Sequence, residues 1–213
     1  MPTPPSSRSI KIDQDERGGW SSDRPRRDGA PPRPARLAVR CRVLAPAELL
    51  RYSPGSLMLV VSPVDAEAER FAQRLIEERA ALLSLAKVRG LLAGRVDEEE
   101  VEARAAQLLD AAVAKRLEAN ESVVISVEGL APETREHYVR MAAAHKRPCH
   151  IVLVETPREQ VEEDVRPTLN KLRKLLGAGD LGKEGFNTAL RVMPNSMSEI
   201  KRIVFRPPPR DDD

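Results

Sequence analysis

The chain has 213 residues, 41% of them hydrophobic and 32% charged, a balance that suits a globular α/β domain and is far too apolar for a wholly disordered chain. A net charge of +2 is too small to argue for a nucleic-acid binder by itself, and only 3% of residues are aromatic, so the core must be built from Leu, Val, Ile and Ala. No apolar run approaches the ~20 residues that a membrane-spanning helix needs.

Residues 1–36 form a tail rich in Pro, Arg, Gly and Ser, with Pro4-Pro5, Gly18-Gly19 and Pro31-Pro32. Such a segment buries too little apolar surface to offset the entropy of ordering, so disorder is expected. Residues 1–40 hold nine basic and five acidic side chains, a weakly basic tail ahead of a nearly neutral body. Trp20 is its one large apolar residue, a docking anchor or a solvent-exposed ring. Arg24, Arg26, Arg27 and the stretch from Arg33 to Arg42 could touch RNA or an acidic protein surface. The first residues lack the apolar stretch of a secretory signal, so a cytoplasmic location is expected.

The folded domain is expected over residues 37–206, with 207–213 an acidic, solvated end. Leu37, Val39, Cys41 and Val43 alternate with polar or small residues and predict a strand. Residues 46–51 predict a short helix opened by Pro46, and Ser53-Pro54-Gly55 a turn. Leu57–Val61 is a continuous apolar run, the signature of a parallel strand buried on both faces. A loop at residues 62–65 leads to an amphipathic helix over 66–78 with Phe71, Leu75 and Ile76 on one face. A short strand at 80–85 follows. Residues 97–119 give the clearest helix, opened by an acidic turn that suits the positive end of its dipole. Then come a buried strand at 123–127, a helix over 132–144 led by Pro132, a strand at 151–154, and a helix over 158–176 interrupted at Pro167. Strands at 188–193 and 203–205 finish the domain. This alternation predicts a three-layer α/β sandwich around a mostly parallel sheet.

The remaining chemistry-bearing residues are sparse. Cys41 and Cys149 sit in no metal-ligand spacing and read as two reduced thiols, one disulfide being the other option. His145, Cys149 and His150 read as structural rather than as ligands. There is no Ser/His/Asp signature.

Four segments resemble the P-loop kinase domain of the bacterial polynucleotide-kinase and zeta-toxin type. In that family a strand like Leu57–Val61 leads through a Gly-rich phosphate loop ending Gly-Lys-Ser/Thr into a helix like the one at Phe71-Ala72. The chain between them has the family's length, but Ala68 stands at the phosphate-binding Lys, Glu69 at the Mg²⁺-binding hydroxyl, and Asp65 and Glu67 at glycines, with Ser62 at the loop's start. Second, Leu83, Ser84 and Arg89 are similar to the family's strand-end motif, with Ala86 in place of the acid that acts on the substrate hydroxyl. Third, Ser126 stands at an acidic position of the family's next strand, and Glu128-Gly129 replace a Thr-Asn pair, before a matching Pro132-to-Arg135 helix start. Fourth, the strand before Pro157 leads to a shortened lid in which Arg166 is the surviving candidate, with Arg173 and Lys174 beyond.

A phosphate loop needs glycines for backbone approach and a Lys for charge, and here carboxylates take those places. The resemblance therefore implies a kinase-like fold with a retired active site: no catalytic residues, no nucleotide or metal cofactor, and a role as a binding or structural subunit for a protein or ribonucleoprotein partner. Two alternatives stand beside it. One is an ATP-dependent nucleotide or polynucleotide kinase whose phosphate contacts come from Arg70, Arg89, Arg166 or a partner. The other is an RNA-binding module that uses the basic tail. The geometry of residues 62–70 separates the first two.

Overall fold

The computed structural model describes residues 41–43, 49–194 and 200–207, the first three by backbone alone. A six-stranded sheet runs through the domain in the order β1 (Cys41–Val43), β7 (Thr188–Val192), β6 (Cys149–Val154), β3 (Leu57–Val61), β5 (Val123–Ser126), β4 (Leu82–Ser84), and every neighbouring pair is parallel. The fold class expected from the sequence is the one observed. Every residue of β3, β5 and β6 is buried. That is the environment their uninterrupted apolar runs demand, because helices cover both faces of a parallel sheet.

Alternate side chains of these strands feed two separate cores. Leu57, Leu59, Val61, Ile125, Ile151 and Leu153 face α3 (Glu98–Glu118), α4 (Pro132–Ala144) and α5 (Arg166–Ala178), whose Leu109, Val113, Val139 and Leu172 complete that layer. Met58, Val60, Val124 and Val152 face the other way, onto Phe71, Ala72 and Leu75 of α1 (Asp65–Leu75). This second layer is finished by a separate parallel pair, β2 (Leu49–Tyr52) with β8 (Arg202–Phe205), which contributes Leu50 and Ile203.

Several elements differ from the sequence expectation. The part of the expected 46–51 helix that is described, from Leu49 on, is strand β2, its side chains alternating exposed and buried. Its hydrogen-bonding partner lies about 150 positions later in the chain, and pairing at that range overrides a local Pro-led helix signal. The expected 66–78 helix stops at Leu75, because Ile76 leaves it to bridge Ile203. Residues 79–81 form a single 3-10 turn before β4. α2 (Leu85–Leu92) was not expected at all and follows β4 without a linker. The 158–176 helix is two pieces: a 3-10 turn at Arg158–Gln160, then α5, with Pro167 in its first turn rather than at an interruption. α6 (Leu181–Glu184) is a further short helix. The last strand is present, but in the second sheet. The expected tails at 1–36 and 208–213, and residues 37–40 of the first strand, lie outside the described residues.

Gly55 is a required glycine. Its φ is +71°, and a Cβ there would collide with the Asn120 side chain. Its N–H donates to Ser122 Oγ at 3.0 Å, pinning the expected turn at 53–55 to the start of β5.

Candidate functional site

In the main sheet the chain leaves β3 toward β5 and β4 on one side, then returns to lay β6 and β7 on the other. The crevice outside the carboxyl end of β3 is therefore the topological switch point, where open α/β sheets place their ligands. Residues 62–70 sit there.

Only Ser62, Pro63 and Val64 separate β3 from α1, which begins at Asp65. Ser62 is fully buried, and its Oγ accepts the Val64 N–H at 3.2 Å. That side-chain turn closes the connection. Asp65 and Glu67 occupy the first helical turn, where the dipole favours negative charge. Asp65 Oδ1 also accepts the Gly129 N–H at 2.8 Å, fastening α1 to the loop after β5. Glu67 pairs with Arg70 at 2.9 Å, and Glu69 accepts from Gln73 at 3.0 Å. Ala68 is fully buried beside Met58 and Val60. The length of chain that the resemblance matched to a phosphate loop is thus mostly helix. A side chain at 68 points into the core, not into the crevice.

The crevice itself is a pocket of about 630 Å³. Pro63 to Asp65 form one wall, residues 129–133 another, and the segment around Glu162 and Asp164 the third. Asp65, Glu133, Glu162 and Asp164 all line it, and among the described residues no Lys, Arg or His does. Two unit charges 4 Å apart interact by about 4 kcal/mol at an intermediate dielectric, so each carboxylate would repel a phosphate placed here by an amount of that order.

The candidate arginines do not supply the missing charge. Arg89, on α2, is held by two acids at once. Its Nε and Nη2 donate to Glu102 of α3, both at 2.7 Å, and its Nη1 and Nη2 donate to Glu128 at 2.6 and 2.9 Å. These bonds, Glu102's foremost and then Glu128's, raise the guanidinium pKa further, and Glu102 is held below the usual carboxylate range by the bond to Arg89. Ser84, beside it, caps α2 by accepting the Lys87 N–H at 3.3 Å, and Ala86 is exposed.

Arg166 opens α5 but turns away from the crevice. Its Nε donates to the Val161 carbonyl at 3.2 Å and its Nη1 to Glu163 at 3.3 Å. It lines a separate pocket of about 330 Å³ with Arg158, Asn170 and Arg173. Arg173 in turn is committed to Glu155, donating from Nε at 2.9 Å and also from Nη2, while Arg191 of β7 donates to the same carboxylate at 2.6 Å. Lys174 is exposed on α5.

Glu155 is the residue that sequence reasoning missed. It is only 2% exposed and stands directly after β6, at the carboxyl edge of the sheet. Burial pushes its carboxyl up, but the hydrogen bonds from Arg173 and Arg191 outweigh burial and hold it below the usual range. The available signal was an acid immediately after an apolar parallel strand. The same edge holds two buried hydroxyls without a hydrogen-bond partner, Ser126 Oγ and Thr156 Oγ1.

The histidines and the described cysteine are accounted for by packing. Burial drives the Cys149 thiol up to about 12 and the His150 ring down to about 4. His150 Nδ1 lies 2.8 Å from Thr188 Oγ1, and the ring sits 4.7 Å from that of Tyr52. His137 lies 3.0 Å from Asp110. Among the described residues no three His, Cys, Asp or Glu side chains converge to hold a metal, and no helix is long and apolar enough to cross a membrane.

A protein-family model described as an AAA domain matches residues 69–167. The fold is P-loop kinase-like. The match starts within α1, at Glu69, and ends in the first turn of α5, so it spans Arg89, Glu128, Glu155 and Arg166. No curated protein matches the chain. In this kinase-like domain the charged side chains described at the crevice are acidic.

Proposed function

We propose that this P-loop kinase-like domain does not transfer phosphate and serves as a binding or structural subunit, with a protein or ribonucleoprotein assembly as its setting. The observation that carries this reading is the crevice at the end of β3: among the described residues it is lined by Asp65, Glu133, Glu162 and Asp164 and by no cation. Phosphoryl transfer depends on positioning and charge neutralisation, and a preformed site needs backbone N–H groups and a cation aimed at the phosphates. Here a three-residue turn closed by Ser62 runs straight into an acidic helix start, and Asp65 already spans the gap to Gly129.

A second reading rests on the pocket of Arg158, Arg166 and Arg173, which could hold an anion beside the crevice. Among the described residues it is the feature that favours an enzyme with unusual phosphate contacts. Titration calorimetry of the full chain with Mg-ATP separates the two. No heat, and no thermal stabilisation at millimolar nucleotide, is expected. Micromolar binding that is lost in Arg166→Ala would overturn the non-catalytic reading and establish the arginine pocket as a nucleotide site.

A further inference from the structure

The α2–α3 hairpin carries the two most exposed large apolar side chains among the described residues, Leu91 at 66% and Leu108 at 50%. No residue of α2 is fully buried; Leu85 and Val88 pack partly against the main core, while Leu91 is left exposed and Leu92 half-buried. Between the end of α2 and the first half of α3 lies a groove of about 840 Å³, with Leu92, Val96 and Leu108 on its apolar floor. Its rim is mixed in sign: Arg95 and Arg104 against Asp97, Glu98 and Glu100.

We propose that this hairpin is a homodimer interface, covered by the same hairpin of a second copy of the chain, with the two α3 helices antiparallel about a twofold axis at Leu108. A twofold interface must be complementary to itself, because the same patch faces its own image. Three features of α3 meet that condition. Leu108 is its midpoint, with ten residues on either side from Glu98 to Glu118, so the exposed leucine meets its own copy at the axis. The helix starts on Glu98, Glu99 and Glu100 and carries Lys115 in its last turn, so antiparallel pairing sets each Lys115 against the other copy's acidic turn. Ala111 and Ala112, three and four residues beyond Leu108 on the same face, are exposed and half-buried, which lets the two helix backbones approach. Arg116 takes no part, being paired with Glu121 at 3.3 Å.

The mixed rim argues against other occupants. A polyanion such as RNA would meet three carboxylates for two arginines, and a partner of one charge sign would satisfy only half of the rim. Another copy brings Lys115 to the acidic half. The face joins one helix about 30 Å long to one about 12 Å long. That is at the small end of stable interfaces, which bury ~800 Å² per partner, so association in the micromolar range is expected. The inference is independent of how the crevice is read.

Sedimentation equilibrium of the full chain across micromolar concentrations tests it. The wild type is expected to approach twice its 23.6 kDa. Leu108→Glu should raise the dissociation constant by about tenfold or more, a charge now being buried at the axis. Lys115→Glu alone, and Glu98→Lys with Glu100→Lys, should each weaken the dimer, and all three together should restore it. These sites are exposed, so circular dichroism should show every variant folded. A wild type that stays monomeric throughout overturns the proposal and leaves the hairpin to a different protein. So does a dimer whose mass none of these variants changes, or a charge swap that fails to restore association.

Discussion

His150 and Glu155 lie on and just after the same strand, and each ties pH to stability in the same direction for a different reason. His150 is buried, with Nε2 unpartnered, and its pKa is driven from 6.5 down to about 4 by burial. The unfolded chain therefore binds a proton between those values that the folded chain refuses, and stability falls as pH falls through that window. One unit is worth about 1.4 kcal/mol, so the loss across the window is on the order of 3 kcal/mol. Glu155 is held below its ordinary value by Arg173 and Arg191, so its contribution is present above the ordinary carboxylate range and is lost at still lower pH. Urea unfolding between pH 7 and 4 should show falling stability in the wild type. In His150→Phe, which fills the same space beside Tyr52 without a titrating ring, the slope above pH 4.5 should flatten. A slope unchanged by that substitution would mean that other groups carry it.

At the scale of elements, the legible ones are those whose signal is local and strong. β3, β5 and β6 are unbroken apolar runs that could only be buried strands, and α3 repeats its apolar residues at three and four. β2 was read as a helix because its pairing with β8 is set by distant chain. α2 was missed because it is short and its apolar stripe, Leu85, Val88 and Leu92, is only half-buried. It is held by the packing of Leu85 and Val88 on the main core together with its cap and its ion pairs. Ser84 closes its N-terminus, and Arg89 joins it to Glu102 and Glu128. Ser84→Ala should therefore cost about 1 kcal/mol. The loss should concentrate in α2, as faster hydrogen exchange of the amides around residues 85–92, with α3 little changed. Equal acceleration throughout the domain would show that the cap supports the whole fold. The site was legible in the same uneven way: the carboxylates at 65, 67 and 69 are plain in the sequence, but the sequence does not reveal that α1 starts at Asp65 or that Arg166 faces a different pocket.

For the whole molecule, the proposed non-catalytic role implies that a nucleotide site is not one substitution away. In a working phosphate loop the chain leaves the strand, arches around the phosphates and presents a Lys as the helix begins. Here the arch is missing, and position 68 is already in the second layer of the core, with zero exposure beside Met58 and Val60. Ala68→Lys would force four methylenes and an amine into packed space. The cost should be about 3 kcal/mol or more, from overpacking together with the burial of an unpaired cation. The amine would not reach the crevice, where Asp65, Glu133, Glu162 and Asp164 remain. A variant carrying Asp65→Gly with Ala68→Lys should thus melt well below the wild type and gain no Mg-ATP binding by calorimetry. If instead it held its melting temperature and bound nucleotide, the connection after β3 would have to rearrange into a phosphate loop on demand, and the acidic helix start would be a reversible state of an enzyme rather than the resting shape of a binding subunit.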